Sequence, residues 1–362
     1  MHLRARRAGG GVALALTATL AFAGGAHAAA EDGRIAFEAS DYPAQSIWTI
    51  AKDGSDARLV AGNLARDPSF SRSGRRLVFV RHFNVLEARA DGSQAHRLTA
   101  SDVEDNFSPT YSPRGDLIAY IRGMEGGEDA GYGRLYVVRP DGTEKRRLTA
   151  DRASNGIPRI SPNGKQVILP SDESPGSYEY DLHSIDTDDG DRRRLTNPRH
   201  ASDFSVRFSP DGRRVLFVRA KVGDDGNEVA RDLYLMDRDG SHVRRLTTSP
   251  DEYESDPSFS PDGRRILFET EPEDAPFYDA GDIVSMKTDG SDRRRLARSP
   301  DGEFDPHYSP SGDLVVYARW HGEQADLHVV RADGTRRRRL TATAGVSEYP
   351  SAWLPAGATT AK

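Results

Sequence analysis

Seven times along these 362 residues an Asp-Gly dipeptide is followed, six or seven positions later, by a leucine. The pairs are Asp53/Leu59, Asp91/Leu98, Asp141/Leu148, Asp189/Leu195, Asp239/Leu246, Asp289/Leu296 and Asp333/Leu340. Five of those leucines sit in Arg-Leu-Thr. A unit of about forty to fifty residues repeated in this way constrains the architecture before any chemistry is considered.

The unit has a second half, in which an aromatic-Ser-Pro-x-Gly segment precedes an apolar run. Examples are Phe208-Ser209-Pro210-Asp211-Gly212 before Val215-Leu216-Phe217, and Phe259-Ser260-Pro261-Asp262-Gly263 before Ile266-Leu267-Phe268. Phe70, Tyr111, Ile160, Phe208, Phe259, Tyr308 and Trp353 head the copies, 41, 49, 48, 51, 49 and 45 residues apart. Each copy reads as four short strands. The first ends at the aromatic. Proline with fixed φ and glycine with positive φ then make a tight turn. The apolar run is the second strand, and its lack of alternation implies that both faces are covered. The third strand alternates, as in Asp232-Leu233-Tyr234-Leu235-Met236, and Asp-Gly turns it into the fourth. Arginines on that outermost strand would block unwanted edge pairing.

One such sheet cannot bury both faces, whereas seven arranged radially can. The expected fold is therefore all-β, a seven-bladed β-propeller of four-stranded antiparallel blades. The N-terminal copy lacks its first strand, and Tyr349–Trp353 supplies an unattached first strand at the other end. Pairing of this C-terminal strand with the N-terminal blade would close the ring.

Residues 1–28 read as a secretory signal peptide: a basic head at Arg4, Arg6 and Arg7, an apolar stretch from Val12 to Ala23, and Ala26-His27-Ala28 as a cleavage signal. The apolar stretch is short for a membrane span, so no stable membrane anchor is expected. Residues 29–354 form one domain and 355–362 a disordered tail. Cleavage near Ala28 takes the basic count from 50 to 47 against 56 acidic residues, and the net charge from −6 to −9. The absence of cysteine excludes a disulfide framework and a thiol nucleophile. The expected product is a secreted or periplasmic monomer.

The pattern Pro-x-aromatic-Ser-Pro-x-Gly, an apolar strand, Asp-Gly and Arg-Leu-Thr resembles the propeller repeat of the TolB family. The match is close at Asp256–Gly263 and Asp305–Gly312, and it extends from about Arg34 to Trp353. The resemblance implies an extracytoplasmic propeller that binds an envelope or extracellular protein. The family's namesake carries an α/β domain ahead of a six-bladed ring, whereas seven blades are counted here. The same repeat also forms the propellers of some peptidases, but no Gly-x-Ser-x-Gly elbow is present and no hydrolase-sized segment follows Trp353.

In a propeller the loops between second and third strands share a face with those between blades. Both sets are acidic here, and the opposite face carries Arg75-Arg76, Arg213-Arg214 and Arg264-Arg265. The candidate partner-binding residues on the acidic face are Asp67, Glu104, Asp105, Asp203, Glu254, Asp256, Glu303, Asp305 and Glu348. Such a face can recruit a cationic partner, or it can serve solubility alone. Asp67, Asp256 and Asp305 take matching positions, with Glu348 close to one. They would either surround an oxygen-coordinated cation such as Ca²⁺ or bond backbone N–H groups between blades. No other cofactor is expected.

His307 begins a first strand and His321 follows in the same blade, near where some seven-bladed polysaccharide lyases hold a histidine-bound metal. Asp256, Asp305 and His307 are the weak metal candidates. Arginine runs without interleaved aromatics, in an acidic chain, argue against nucleic acid. The leading expectation is a non-enzymatic protein-interaction scaffold with no catalytic residue. The alternative is a carbohydrate-active enzyme, a lyase or glycosidase using carboxylates near the channel.

Overall fold

The computed structural model describes residues 33–41, 44–100, 105–123, 133–149, 154–172, 179–223, 228–249, 252–272 and 281–355. The expected signal peptide, Glu104 and most of the expected tail lie outside them. Among the described residues every regular element is a strand, and the strands form seven antiparallel sheets. Blades 1 to 6 follow one another along the chain and end at Arg97, Arg147, Arg194, Arg245, Ala297 and Arg339. Blade 7 combines Ser347–Trp353 with Arg34–Asp41, Ala44–Ala51 and Arg58–Ala61. Ile35 pairs with Trp353 and Glu38 with Tyr349, so the tail of the chain closes the ring as its ends foretell.

The unalternating second strands are explained by what lies on either side of them. In blade 4, Val215 and Phe217 pack toward blade 3, while Leu216 and Val218 pack toward blade 5. In blade 6, Val315 and Tyr317 face blade 5, and Val316 faces blade 7. Each of the seven seams carries its own apolar cluster, the closing one included. At about 25 cal/mol per Å² of apolar surface removed from water, these seams are the main stabilising term.

The repeat that opened the sequence is the seam hardware. Gly54 takes φ +85° in its Asp-Gly turn, and a Cβ there would lie 2.9 Å from the Leu340 carbonyl oxygen of the preceding blade. Gly240 stands in the same relation to Leu195. Arginines of the outermost strands reach the neighbouring turn. Arg146 donates to the carbonyls of Thr187 and Asp188, Arg244 to those of Thr288 and Asp289, and Arg338 to those of Lys52 and Asp53. These arginines bind blade to blade, a role beyond the edge protection expected of them. The threonine of Arg-Leu-Thr accepts the N–H of its own third strand, as Thr341 does from Leu327 at 2.9 Å.

Blade 3, whose copy is the worn one, has a split first strand. Ser154–Asn155 and Arg159–Ile160 each pair with Gln166–Asp172, on either side of Pro158.

Candidate functional site

The nine acidic candidates fall into groups that the sequence did not separate. Asp203, Glu254, Glu303 and Glu348 are buried, with exposures of 0%, 0%, 2% and 3%. They do not present carboxylates to a partner on an open face. Each begins or nearly begins a first strand and turns back onto a hydroxyl at the end of the preceding blade. Glu348 accepts from Thr341 and Thr343, and Glu254 from Ser249 at 2.8 Å and from Thr247. Glu303 meets Ser299, and Asp203 meets Thr196. Asp203 also takes a two-pronged hydrogen bond from Arg219, at 2.6 and 2.7 Å. Burial pushes Glu254 and Glu348 up to about 7, opposed by their hydroxyl donors.

Asp67, Asp105, Asp256 and Asp305 remain half-exposed. Arg66 holds both Asp67, at 2.7 Å, and Asp105, at 2.8 Å. Asp67, Asp256 and Asp305 have φ of 53°, 42° and 51°, as do Ser108 and Ser205 at 51°. All five sit where the first strand loses register with the second. A short polar side chain tolerates this left-handed backbone, which is why Asp and Ser recur there. Glu348 does not share the position. Counted from the aromatic, it matches Glu303, and blade 7 places Pro350 where its neighbours place aspartate.

One of the two roles expected of these aspartates is visible at Asp67, which accepts the backbone N–H of Ser108 in the next blade at 3.3 Å. Two glutamates the sequence reading missed complete the site. Glu269 accepts the N–H of Asp305 and the hydroxyl of Ser255. Glu38 accepts the N–H of Asp67. Their signal was present: each interrupts an apolar second strand where other copies have Val80, Ile121, Val218 and Ala318.

Asp256, Glu269 and Asp305 bring carboxylate oxygens within 4.8 Å of one another. Burial, followed by the Asp256 charge, raises Asp305 to about 7. Burial and both aspartates push Glu269 well above the usual carboxylate range. Burial and Asp67 raise Glu38 to about 7. Crowded carboxylates of this kind share protons or take an oxygen-coordinated cation such as Ca²⁺.

His307 is not the third member of that set. Its Nε2 donates to the Pro350 carbonyl at 3.1 Å, and burial together with Arg207 lowers it to about 4, so it is neutral at pH 7. His321 is 3.2 Å from His328 instead, and 3.6 Å from buried Asp326. Arg159 and Arg207 match His307 in blades 3 and 4, and the sequence reading passed over both.

Comparison with known proteins agrees with this architecture. The family model described as the TolB beta propeller domain matches residues 149–356. The Tol-Pal system protein TolB of Wolinella succinogenes is 23% identical over 303 residues, covering 78% of this chain and 66% of its own. The chain spans between 18% and 66% of the length of four curated relatives that it matches. Among solved structures, TolB from Acinetobacter baumannii aligns with a TM-score of 0.51 at 18% identity, over 86% of this chain and 79% of its own. An oligogalacturonate lyase in complex with manganese aligns with a TM-score of 0.59 at 15% identity, over 86% and 87%. At these identities the structural likeness is one of fold. The repeat, the closed seven-bladed ring and the family match together make this chain a member of the TolB-like β-propeller family.

Proposed function

We propose that this protein is a non-enzymatic interaction scaffold, exported to the periplasm or beyond after cleavage near Ala28. It acts there as a monomer that docks a cationic segment of an envelope or extracellular protein over the ring axis. The observation that carries this reading is the gathering of half-exposed Asp67, Asp105, Asp256 and Asp305 around the first strands, while the other described acidic candidates are engaged inside seams. Field lines from such a cluster favour a partner bearing lysine or arginine. The test is capture of partners from the native envelope and secreted fractions by wild type and by the Asp67→Asn/Asp256→Asn/Asp305→Asn variant. Unchanged capture by the folded variant would sink the proposal.

A second reading is favoured by one observation: Arg159, Arg207 and His307 converge on the axis with Asp256, Glu269 and Asp305. Guanidinium, imidazole and carboxylate groups in one place are the equipment of a polyuronate-cleaving enzyme. Assay of the purified protein on oligogalacturonate with Mn²⁺, following unsaturated product by absorbance, separates the two readings.

A further inference from the structure

Arg159 and Arg207 are the penultimate residues of adjacent first strands, at the level where other blades carry Ser69, Thr110 and Ser258. Four arginines elsewhere in the ring are held by carboxylates: Arg219 by Asp203, Arg245 by Asp232, Arg265 by Asp292 and Arg339 by Asp326. These two are not. Arg207 donates Nη1 to the Val206 carbonyl at 3.0 Å, and among the described residues neither guanidinium has an ion pair. Asp256 is near enough to act on both charges, yet it lies with Glu269 and Asp305 rather than against a guanidinium.

We propose that Arg159 and Arg207 form an oxyanion site on the ring axis, taking one carboxylate or phosphate group between them. A guanidinium offers donors in a planar fork matched to two oxygens. Two like charges at the same level of adjacent first strands repel each other, and both residues are half-buried. An anion with at least two oxygens answers both forks, as a chloride ion does not. His307 at the same level is neutral and adds no competing charge. Both arginines sit at the Ser-Pro end of their first strands, the end at which Arg75, Arg213 and Arg264 are exposed and favour negative ligands. Asp256 acts on both guanidinium charges and Asp305 on Arg207, so the site adjoins the carboxylate cluster; partner capture and the oxyanion response are read by different measurements, and failure of one leaves the other standing.

The experiment is thermal unfolding of the purified chain in chloride, acetate and phosphate at matched ionic strength and pH 7.5. Acetate, phosphate or both should raise Tm in a saturable way that chloride does not reproduce. A response to one alone tells which oxyanion the site takes. Arg159→Gln and Arg207→Gln should each weaken that response at least about tenfold, the value of one or more charge-assisted hydrogen bonds. Both should also melt higher than wild type in chloride, because one of two repelling charges is gone. Arg213→Gln on the exposed turn should respond like wild type. A wild-type Tm that does not distinguish oxyanions from chloride overturns the site, as does an undiminished response in both glutamine variants.

Discussion

The seams and the axis use the same acidic side chains in opposite ways. At a seam each carboxylate has donors of its own, as Glu348 has Thr341 and Thr343, and it stitches two blades. At the axis Glu269 also has donors, the Asp305 N–H and the Ser255 hydroxyl, but its carboxylate lies within 4.8 Å of those of Asp256 and Asp305. Burial raises the protonation range in both places, but only at the axis do neighbouring carboxylates add substantially to it. Acids at the strand entrances are therefore structural. Those at the register slip, or breaking an apolar run, are held in a tension that a proton, a cation or a basic partner relieves.

The comparison breaks most violently where a seam is removed outright. A chain ending before Ser347 loses the first strand of blade 7 and uncovers Ile35 and Phe37. Marginal overall stability does not survive an open seam, so cooperative unfolding by circular dichroism should vanish. A chain that still melted in a single sharp transition would show that closure is dispensable. Next comes Glu254→Ala, which leaves the Ser249 and Thr247 hydroxyls without an acceptor at a buried site. It should cost about 2–3 kcal/mol in urea unfolding. A cost below about 0.5 kcal/mol would place Glu254 among ordinary surface acids.

The axis should respond with the opposite sign. Glu38 has its folded range raised to about 7, while unfolded glutamate titrates near 4.3. Between those values the folded state holds the proton and the unfolded state does not, so stability falls as pH rises through that window. Glutamine keeps the oxygen that accepts the Asp67 N–H and carries no charge. Glu38→Gln should therefore gain about 1–2 kcal/mol over wild type at pH 8 and nothing at pH 4. An equal effect at both pH values would remove the charge from the account.

The fold was legible because its instructions are repeated. Asp-Gly needs glycine against the neighbouring Leu carbonyl, and Ser-Pro-x-Gly needs its hydroxyl, as when Ser209 accepts the Arg214 N–H at 3.0 Å. Such demands recur in blade after blade and stand out by counting. The candidate site was legible only in part. Asp256 and Asp305 were found because they repeat. Glu38, Glu269, Arg159 and Arg207 each depart from what their repeats carry, and counting hides such residues. Burial of Asp203, Glu254, Glu303 and Glu348 escaped notice because their hydroxyl partners lie in the preceding copy. Loop acidity alone does not tell a latch from a rim.

The smallest effect addresses whether the closing seam equals the internal ones. Arg146, Arg244 and Arg338 make the same pair of bonds to the next blade's turn, but Arg338 does so between residues 285 and 286 positions apart. Five of these six bonds lie toward solvent and the sixth, Arg146 to Thr187, is half-buried, so each arginine should contribute about 0.5–1 kcal/mol, the net worth of ordinary hydrogen bonds. Arg146→Ala and Arg244→Ala should lower stability by that amount and leave cooperativity intact. If the ring is one unit in which every seam is held alike, Arg338→Ala costs the same. If the 6/7 seam is the place where the ring opens first, Arg338→Ala lowers the free energy of local opening there more than the global value. Hydrogen exchange would then show faster amides in Ser347–Trp353 than in the corresponding strand Glu252–Phe259. Equal exchange in the two strands would mean that the closing strand, joined by no covalent turn to the sheet it completes, is bound as firmly as a strand built in sequence.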